Sequence, residues 1–349
     1  MPRSAIEKPI CHFNLAPHYR GGERQTELLV RALAKRGLAQ RLVIKRGNSL
    51  ADRCSDIVRL EIREVASNPV AAGIAARGSR VTHAHDGRTV YSGLTANLFF
   101  GIPYIITRRV VAPQSKKAVR VWAYRRAGHR VAISNAVVDA MRIRHPDITA
   151  DIVPDASAGF DFNEDAAQKI RAIRAGKILI GHIGALDHSH KGQSTIVEAA
   201  RMATDEHPDW HFLLCGDGKH EQSFREEIGD LANIELVGWV DNVGDYLASF
   251  DLFVYPSLHE ALGSTLLDAF EFGLPVVASN VGGIPELVED GVNGHLIEPE
   301  NPEQMVAAIA SILADKIEMR EVGSRNELKA QSFSADRMAA TYLAMYETL

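Results

Sequence analysis

The chain reads as an α/β protein of two doubly wound parallel-sheet domains, and three observations predict this. Short aliphatic and β-branched runs alternate with helix-length amphipathic segments, the pattern of parallel strands joined by crossover helices. Several of the runs end in glycine turns, at Gly21-Gly22, Gly184 and Gly216-Asp217-Gly218, where such sheets pass from strand to helix. A length of 349 residues favours two domains, each able to bury its own core.

Taken in order, Pro9–Leu15 is the first strand, 16–22 a loop, and Glu23–Arg36 a helix with Leu28, Leu29, Ala32 and Leu33 on its inner face and Gly37 at its end. Strands follow at Arg41–Lys45, Ile57–Ile62, Val81–His85, Tyr104–Thr107, Arg130–Ser134 and Asp151–Pro154. The spacing puts His83 and His85 on one face of their strand, and His85 and Asp86 at its carboxyl end, where open parallel sheets bind ligands. Two histidines at i and i+2 suit a metal, but no third ligand is evident, so a histidine satisfied within the sheet and a ligand contact both stay open. Lys116, Lys117, Arg120, Arg125, Arg126 and Arg130 form a basic helix-length run with Val119, Trp122, Ala123 and Tyr124 interleaved, which suits a membrane surface or an ordinary solvated helix.

The pattern loosens between Ser157 and Lys177, around Gly159, Asn163, Asp165 and a short polar helix, which places the connection between a domain at 1–158 and a second at 177–333, with 159–176 as linker. The second sheet starts at Lys177–Ile183, and Lys191-Gly192 opens the helix Gln193–Ala203, an arrangement suited to phosphate. His211–Cys215 and Leu252–Tyr255 are further strands, and Gly238-Trp239-Val240 marks another turn. Ser334 caps a closing helix over 334–349 with Met338, Tyr342, Met345 and Tyr346 on one face.

Composition narrows the class. The apolar fraction of 46% and charged fraction of 24% are those of a globular protein, and no apolar run reaches a membrane span. The N-terminus lacks the apolar core of a signal peptide, so a cytoplasmic location, including the inner face of the plasma membrane, is expected. Cys11, Cys54 and Cys215 are far apart and read as reduced structural thiols. Charge is lopsided: the first 150 residues hold 26 basic and 10 acidic side chains, a net +16, and the rest hold 13 and 34, a net −21. A basic front half argues for an anionic partner: nucleic acid, an anionic membrane or a phosphorylated acceptor. Nucleic acid is set aside because no zinc-finger spacing, basic heptad helix or aromatic RNA-binding strand accompanies the charge.

The stretch 256–294 carries the most specific signal. Glu260 lies in a loop, and Asp268 falls eight positions on, in a helix that Ser264 or Thr265 would cap. The reading is two carboxylates facing one crevice, with the backbone amides after Gly263 and the helix dipole between them as an anion site. Carboxylates accept from sugar hydroxyls while a helix start holds phosphate, and a nucleotide sugar needs both. Taken alone, the two acids would equally be solvated charges on an amphipathic helix.

At these residues the chain resembles the retaining GT-B glycosyltransferases of family 4: Glu260, Asp268, Gly273, Pro275, Val276, Gly282, Gly283 and Glu286 follow the family's Glu-x7-Glu, Gly-Pro-Val and Gly-Gly-x-x-Glu pattern, with Asp268 in place of the second Glu. The resemblance implies two Rossmann-like domains facing a cleft and a C-terminal helix returning to the first. It implies a hexosyltransferase that moves a sugar with retention from a UDP-, GDP- or ADP-linked donor, with no metal and no other cofactor. Gly21, Gly22, Gly184, Lys191, Gly216, Gly218, Trp239, Val240, Glu260, Leu262, Gly263, Ser264, Thr265 and Asp268 would form the donor site, Asp268 on the ribose. Arg24, His85, Asp86, Arg108 and Arg109 would meet the acceptor. Glu260, Lys191 and His85 would be catalytic.

Two departures matter. Ala185 stands where relatives carry an Arg that helps clamp the diphosphate, and Thr107, Arg108 and Arg109 stand where many carry a His. A permanent guanidinium suits phosphate or carboxylate, which fits either a donor phosphate contact or an anionic acceptor such as a glycan or glycolipid of bacterial lipopolysaccharide or polysaccharide synthesis. The alternatives are a non-hydrolysing nucleotide-sugar epimerase and a non-catalytic nucleotide-binding paralogue. A nicotinamide dehydrogenase lacks its GxGxxG after the first strand.

Overall fold

The computed structural model describes residues 8–112, 117–143 and 146–349. The chain divides into two compact units, Met1–Ala156 with Ser334–Leu349, and Ser157–Phe333.

The first unit holds strands β1 (Ile10–Asn14), β2 (Gln40–Lys45), β3 (Leu60–Val65), β4 (Val81–Ala84), β5 (Tyr104–Arg108), β6 (His129–Ala132) and β7 (Asp151–Ile152) in the spatial order β3-β2-β1-β4-β5-β6-β7. Every pairing between them is parallel. Its helices are α1 (Gly21–Lys35), α2 (Leu50–Arg53), α3 (Pro69–Ala75), α4 (Val90–Phe100), α5 (Ala118–Arg126), α6 (Asn135–Arg142) and the C-terminal helix Ala335–Glu347. The period-two alternation of strands decides which helices cover which face. Ile10, Val81, Ile105 and Val131 pack under Leu29 and Leu33 of α1 and Met338 and Tyr342 of the C-terminal helix. Cys11, Phe13 and Val43 point the other way, onto Ala72 of α3, Ala76 at its end and Ala96 of α4.

The second unit holds α7 (Glu164–Ala172), β8 (Ile178–Ile183), α8 (Gln193–Glu206), β9 (Trp210–Cys215), α9 (Glu221–Ile228), β10 (Ile234–Gly238), α10 (Val243–Ser249) and β11 (Leu252–Tyr255), then α11 (Ser264–Glu271), β12 (Val276–Ser279), α12 (Ile284–Leu287), β13 (His295–Ile297), α13 (Pro302–Ala314) and α14 (Lys316–Ala330). Its sheet is parallel, ordered β10-β9-β8-β11-β12-β13. Ile180, Phe212, Leu214, Leu252 and Val254 form its core with Ile196 and Val197 of α8 and Met305 and Ile309 of α13.

In each sheet the strand order reverses once, between β1 and β4 and between β8 and β11. Connections leave such a pair of strands toward opposite faces, which opens a crevice at their carboxyl ends.

Some elements differ from the sequence reading. The third strand starts at Leu60 and not at Ile57, because 54–56 form turns and Arg59 takes a left-handed φ of 63°. The short polar helix expected in the linker segment is present as α7, whose Asn163 cap accepts from Ala166 N, and the amide of Asn163 donates to Asp245 of α10. Of the basic run, Lys116 lies outside the described residues, Lys117 precedes α5, and Arg130 sits on β6. All three cysteines are buried thiols, and burial pushes each of them up to about 12.

Candidate functional site

The strongest constellation lies in the second unit at the reversal between β8 and β11. The loop after β8 delivers Lys191 and the loop after β11 delivers Glu260. Backbone packing knits the two together: Leu258 N donates to His190 O at 2.8 Å, and Gly192, the cap of α8 at φ +65°, lies so close that a Cβ there would sit 1.9 Å from the carbonyl oxygen of Pro256. The paired glycines do the same from the far side, since a Cβ on Gly282 would fall 1.8 Å from the Glu260 carbonyl oxygen. Gly216 and Gly218 lie against the carbonyls of Gly184 and Leu186. They let the turns after β8 and β9 touch.

Lys191 Nζ donates to Glu260 Oε2 at 2.7 Å and to Tyr255 Oη at 2.8 Å, while Tyr255 Oη donates to the same Glu260 oxygen at 2.7 Å. The pair is mostly buried, with side-chain exposures of 24% for Lys191 and 17% for Glu260. Burial opposes the ammonium, but Tyr255 and Glu260 outweigh it and hold Lys191 above its ordinary value. Burial likewise opposes the carboxylate, yet Lys191 and Tyr255 hold Glu260 below its usual range. Burial first, then the Glu260 charge, pushes the Tyr255 phenol up to about 12. Both charges persist across neutral pH: a fixed cation beside a fixed acceptor at the strand ends.

Helix α11 starts beside this cluster. Its cap is Gly263 at φ +94°, with no capping side chain, so neither Ser264 nor Thr265 serves as the cap. Asp268 is buried, and its Oδ1 accepts the Ala158 amide at 2.7 Å, while Glu271 accepts from Ser157 Oγ at 2.5 Å and Gly159 N at 3.0 Å. One turn of α11 thus grips the segment 157–159, a task a side chain one methylene shorter than Glu performs at that depth. Trp239 is exposed, its indole N–H donating to Asp241 at 3.0 Å, and Gly238 before it has φ +85°. Val240 follows it on the same turn, while Leu262 is buried.

In the first unit, Gly21 and Gly22 form the first residues of α1 and not a loop, and Arg24 lies in the first turn after the Arg20 cap. Asp86 closes the crevice between β1 and β4 structurally: its carboxylate accepts from Leu15 N at 2.7 Å, Arg88 N at 2.7 Å and Thr89 N at 3.1 Å. Arg108 is buried and donates to Ala112 O. Arg109 is buried in an ion pair with Asp155 at 2.9 Å and donates to His85 O at 3.3 Å. Both guanidiniums are tied into the fold, and each keeps one buried N–H, at Arg108 Nε and Arg109 Nη2, without a partner among the described residues.

A histidine cluster that the sequence reading saw only in part lies on the same sheet face. β1 and β4 pair His12 with His83 in register, and His12 Nδ1 lies 3.0 Å from His85 Nε2. His83 bonds Tyr346 Oη through Nδ1 at 2.6 Å and Thr107 Oγ1 through Nε2 at 2.7 Å. Among the described residues these are the three histidines whose ligating atoms fall within 4.8 Å of one another. Their rings lie close, His12 stacked on His85 with centroids 5.3 Å apart and His83 tilted by 35° against His85 at 3.9 Å. Both nitrogens of His83 are taken by Tyr346 and Thr107, while His12 Nε2 and His85 Nδ1 are buried without a partner among the described residues. Burial lowers His12 to about 4 and holds His83 and His85 well below their ordinary value, helped by neighbouring histidines and Arg109. The rings are neutral at physiological pH, and His83 joins the sheet to Tyr346 of the C-terminal helix.

His12 and Tyr255 are the residues that sequence reasoning missed. The signal for His12 was a polar residue at an inward position of an apolar strand. For Tyr255 it was a phenol at the end of the strand feeding Glu260.

Comparison with known proteins agrees with this geometry. The family Glycosyl transferases group 1 matches residues 177–315. The alpha-maltose-1-phosphate synthase of Mycolicibacterium smegmatis is 25% identical over 311 residues, 78% of this chain and 79% of that protein. The lipopolysaccharide core biosynthesis glycosyltransferase LpsE of Rhizobium meliloti is 30% identical over 160 residues, 44% of this chain and under half, 46%, of its own length. The crystal structure of Anabaena HepE in complex with UDP and glucose superposes with a TM-score of 0.84 at 19% identity, covering 98% of this chain and 100% of that one, which identifies the fold as that of the GT-B glycosyltransferases.

Proposed function

We propose that this chain, a member of the glycosyl transferases group 1 family through residues 177–315, is a retaining hexosyltransferase that takes its sugar from a nucleoside diphosphate donor. The acceptor is a glycan or glycolipid of bacterial cell-surface polysaccharide or lipopolysaccharide synthesis, and the basic first unit favours an anionic one held at the inner face of the membrane. Support for this reading comes from the relatives named above and from one observation above all, the Lys191–Tyr255–Glu260 cluster at the reversal of the second sheet, beside the start of α11.

In this reading Lys191 and the first-turn amides of α11 stabilise the charge that grows on the leaving diphosphate, the kind of fixed electrostatics that often supplies the largest part of a rate enhancement. Glu260 orients the donor sugar through its hydroxyls. The leaving phosphate assists the incoming hydroxyl on the same face, so no carboxylate nucleophile and no metal is called for. Trp239 and Val240 lie on the turn assigned to the base. Asp268, engaged with Ala158, serves the frame of the site and not the ribose.

The test is acceptor-dependent release of nucleoside diphosphate from UDP-, GDP- and ADP-linked sugars in the presence of membrane glycolipid extracts. Release with one donor that stops on removing the extract supports the reading. Interconversion of two nucleotide sugars without acceptor would establish an epimerase instead.

A further inference from the structure

The turn after β8, Gly184-Ala185-Leu186, brings no charged side chain to the reversal of the second sheet. Its backbone is ordered instead. Gly184 N donates to Cys215 O at 3.0 Å and Leu186 N to Asp217 O at 2.9 Å. The Gly184 carbonyl faces the same side, since a Cβ on Gly216 would fall 2.0 Å from its oxygen. In a trans peptide the N–H points opposite to the C=O, so Ala185 N–H points away from the turn after β9. β8 lies between β9 and β11. The amide is therefore directed to the β11 side, where Lys191 meets Glu260, and it has no partner among the described residues.

Two fully buried side chains hold this turn from within, His182 of β8 and Gln193, the first residue of α8. His182 Nδ1 lies 3.0 Å from Val254 O, and because a carbonyl only accepts, Nδ1 carries the proton. Burial, aided by Lys191, lowers His182 to about 4 against the Val254 bond. The ring is neutral and its Nε2 is a bare acceptor. Gln193 Nε2 faces that acceptor at 3.4 Å and donates to Ala185 O at 2.8 Å. Turning the amide over would set its oxygen against two acceptors, so its orientation is fixed. Gln193 Oε1 is left buried with no partner among the described residues, a costly arrangement that keeps both donors on the turn. The His182 ring also lies 3.0 Å, and the Lys191 stem 3.8 Å, from where a Cβ on Gly184 would sit. Ring, turn and lysine are one packed assembly.

We infer that Ala185 N–H is a phosphate-binding donor of the nucleotide site, acting beside Lys191, and that His182 and Gln193 are the positioning residues that present it. This rests on the nucleoside diphosphate donor proposed above and names the atoms that meet its phosphates. A backbone N–H already held in place loses little freedom on binding, and a hydrogen bond to a charged oxygen is roughly twice as strong as a neutral one. Removing the support from the turn weakens phosphate binding by about tenfold. Contacts made by the base and ribose are untouched.

The experiment reads the Ala185 amide directly. The full chain labelled with 15N-alanine is titrated with UDP, GDP and ADP and with uridine, guanosine and adenosine, the Ala185 resonance being identified by its loss in Ala185→Gly. Expected is a downfield proton shift of that resonance on saturation with the diphosphate that binds, and none with its nucleoside. Gln193→Met keeps the side-chain length and drops both donated bonds, and His182→Phe keeps a ring without its nitrogens. Both should bind that diphosphate about tenfold more weakly in calorimetric titration, with nucleoside affinity unchanged. An Ala185 resonance that responds to the diphosphate no more than to the nucleoside overturns the inference and leaves the glycosyltransferase reading standing. So does an equal loss of nucleoside and diphosphate affinity in the variants, which would mark the pair as packing alone. Binding of none of the three diphosphates overturns that reading and the inference with it. The titration of the unsubstituted chain decides by itself if a variant fails to fold.

Discussion

Lys191 and Glu260, 69 residues apart in sequence, meet with Nζ 2.7 Å from Oε2 at the carboxyl ends of β8 and β11. Tyr255 bonds both. Each charge justifies the other's burial, so the pair behaves as a unit.

Substitution should therefore be strongly non-additive. Glu260→Ala cuts turnover on the order of 10²-fold or more through lost positioning, and Lys191→Met does so through lost charge on the diphosphate. Either single change leaves a half-buried ion uncompensated and lowers stability by on the order of 3 kcal/mol, while the double variant recovers part of it. Tyr255→Phe keeps the ion pair and costs only about 1 kcal/mol. Denaturant titrations and donor turnover on the four variants check this. Additive stability losses would show that the two charges act independently.

Asp268→Ala removes the acceptor of the Ala158 amide and should cost about 1–3 kcal/mol of stability. The dissociation constant for nucleoside diphosphate should stay within about twofold of wild type. Calorimetric titration decides the matter: a tenfold loss of affinity in a folded variant would return Asp268 to the ribose.

Gly282→Ala places a methyl against the Glu260 carbonyl oxygen and strains a φ of +55°. Displacement of the Glu260 loop by even 1 Å should reduce turnover by about 10²-fold with a smaller effect on melting. Unchanged turnover would show that the loop is held by other contacts.

The histidine cluster sets the acid limit. His12, His83 and His85 are held below their unfolded value of 6.5. The unfolded chain therefore takes up protons below pH 6.5 that the native chain refuses, so stability is complete above that pH and falls as pH drops toward 4. For His12 alone, lowered to about 4, the loss at pH 4 is on the order of 3 kcal/mol. Melting curves from pH 8 to 5 should show the decline, and His12→Asn should make it shallower. Parallel slopes in the two proteins would contradict the assignment.

Most of the fold was legible because parallel strands buried on both faces and glycine-closed turns leave local marks. The alternation of Ile10, Val81 and Ile105 with Cys11 and Phe13 is such a mark, and so is Gly192 ahead of α8. Lys191 and Glu260 were legible as motif positions. What was hidden depends on the partner each residue finds across long stretches of chain. Nothing near Asp268 announces Ala158, nothing near His83 announces His12 or Tyr346, and the arginines after β5 gave no sign that Asp155 would neutralise Arg109. Charge type is local, whereas burial and pairing belong to the fold.

The most direct test of the central claim is a thermal-shift screen of nucleoside diphosphates and their sugars on wild type and on Lys191→Met, since a ligand that binds the native state raises the melting temperature by mass action. The account predicts that one nucleotide sugar stabilises the wild type and that the shift is lost in Lys191→Met. No shift with any nucleotide, or an equal shift in both proteins, would contradict it.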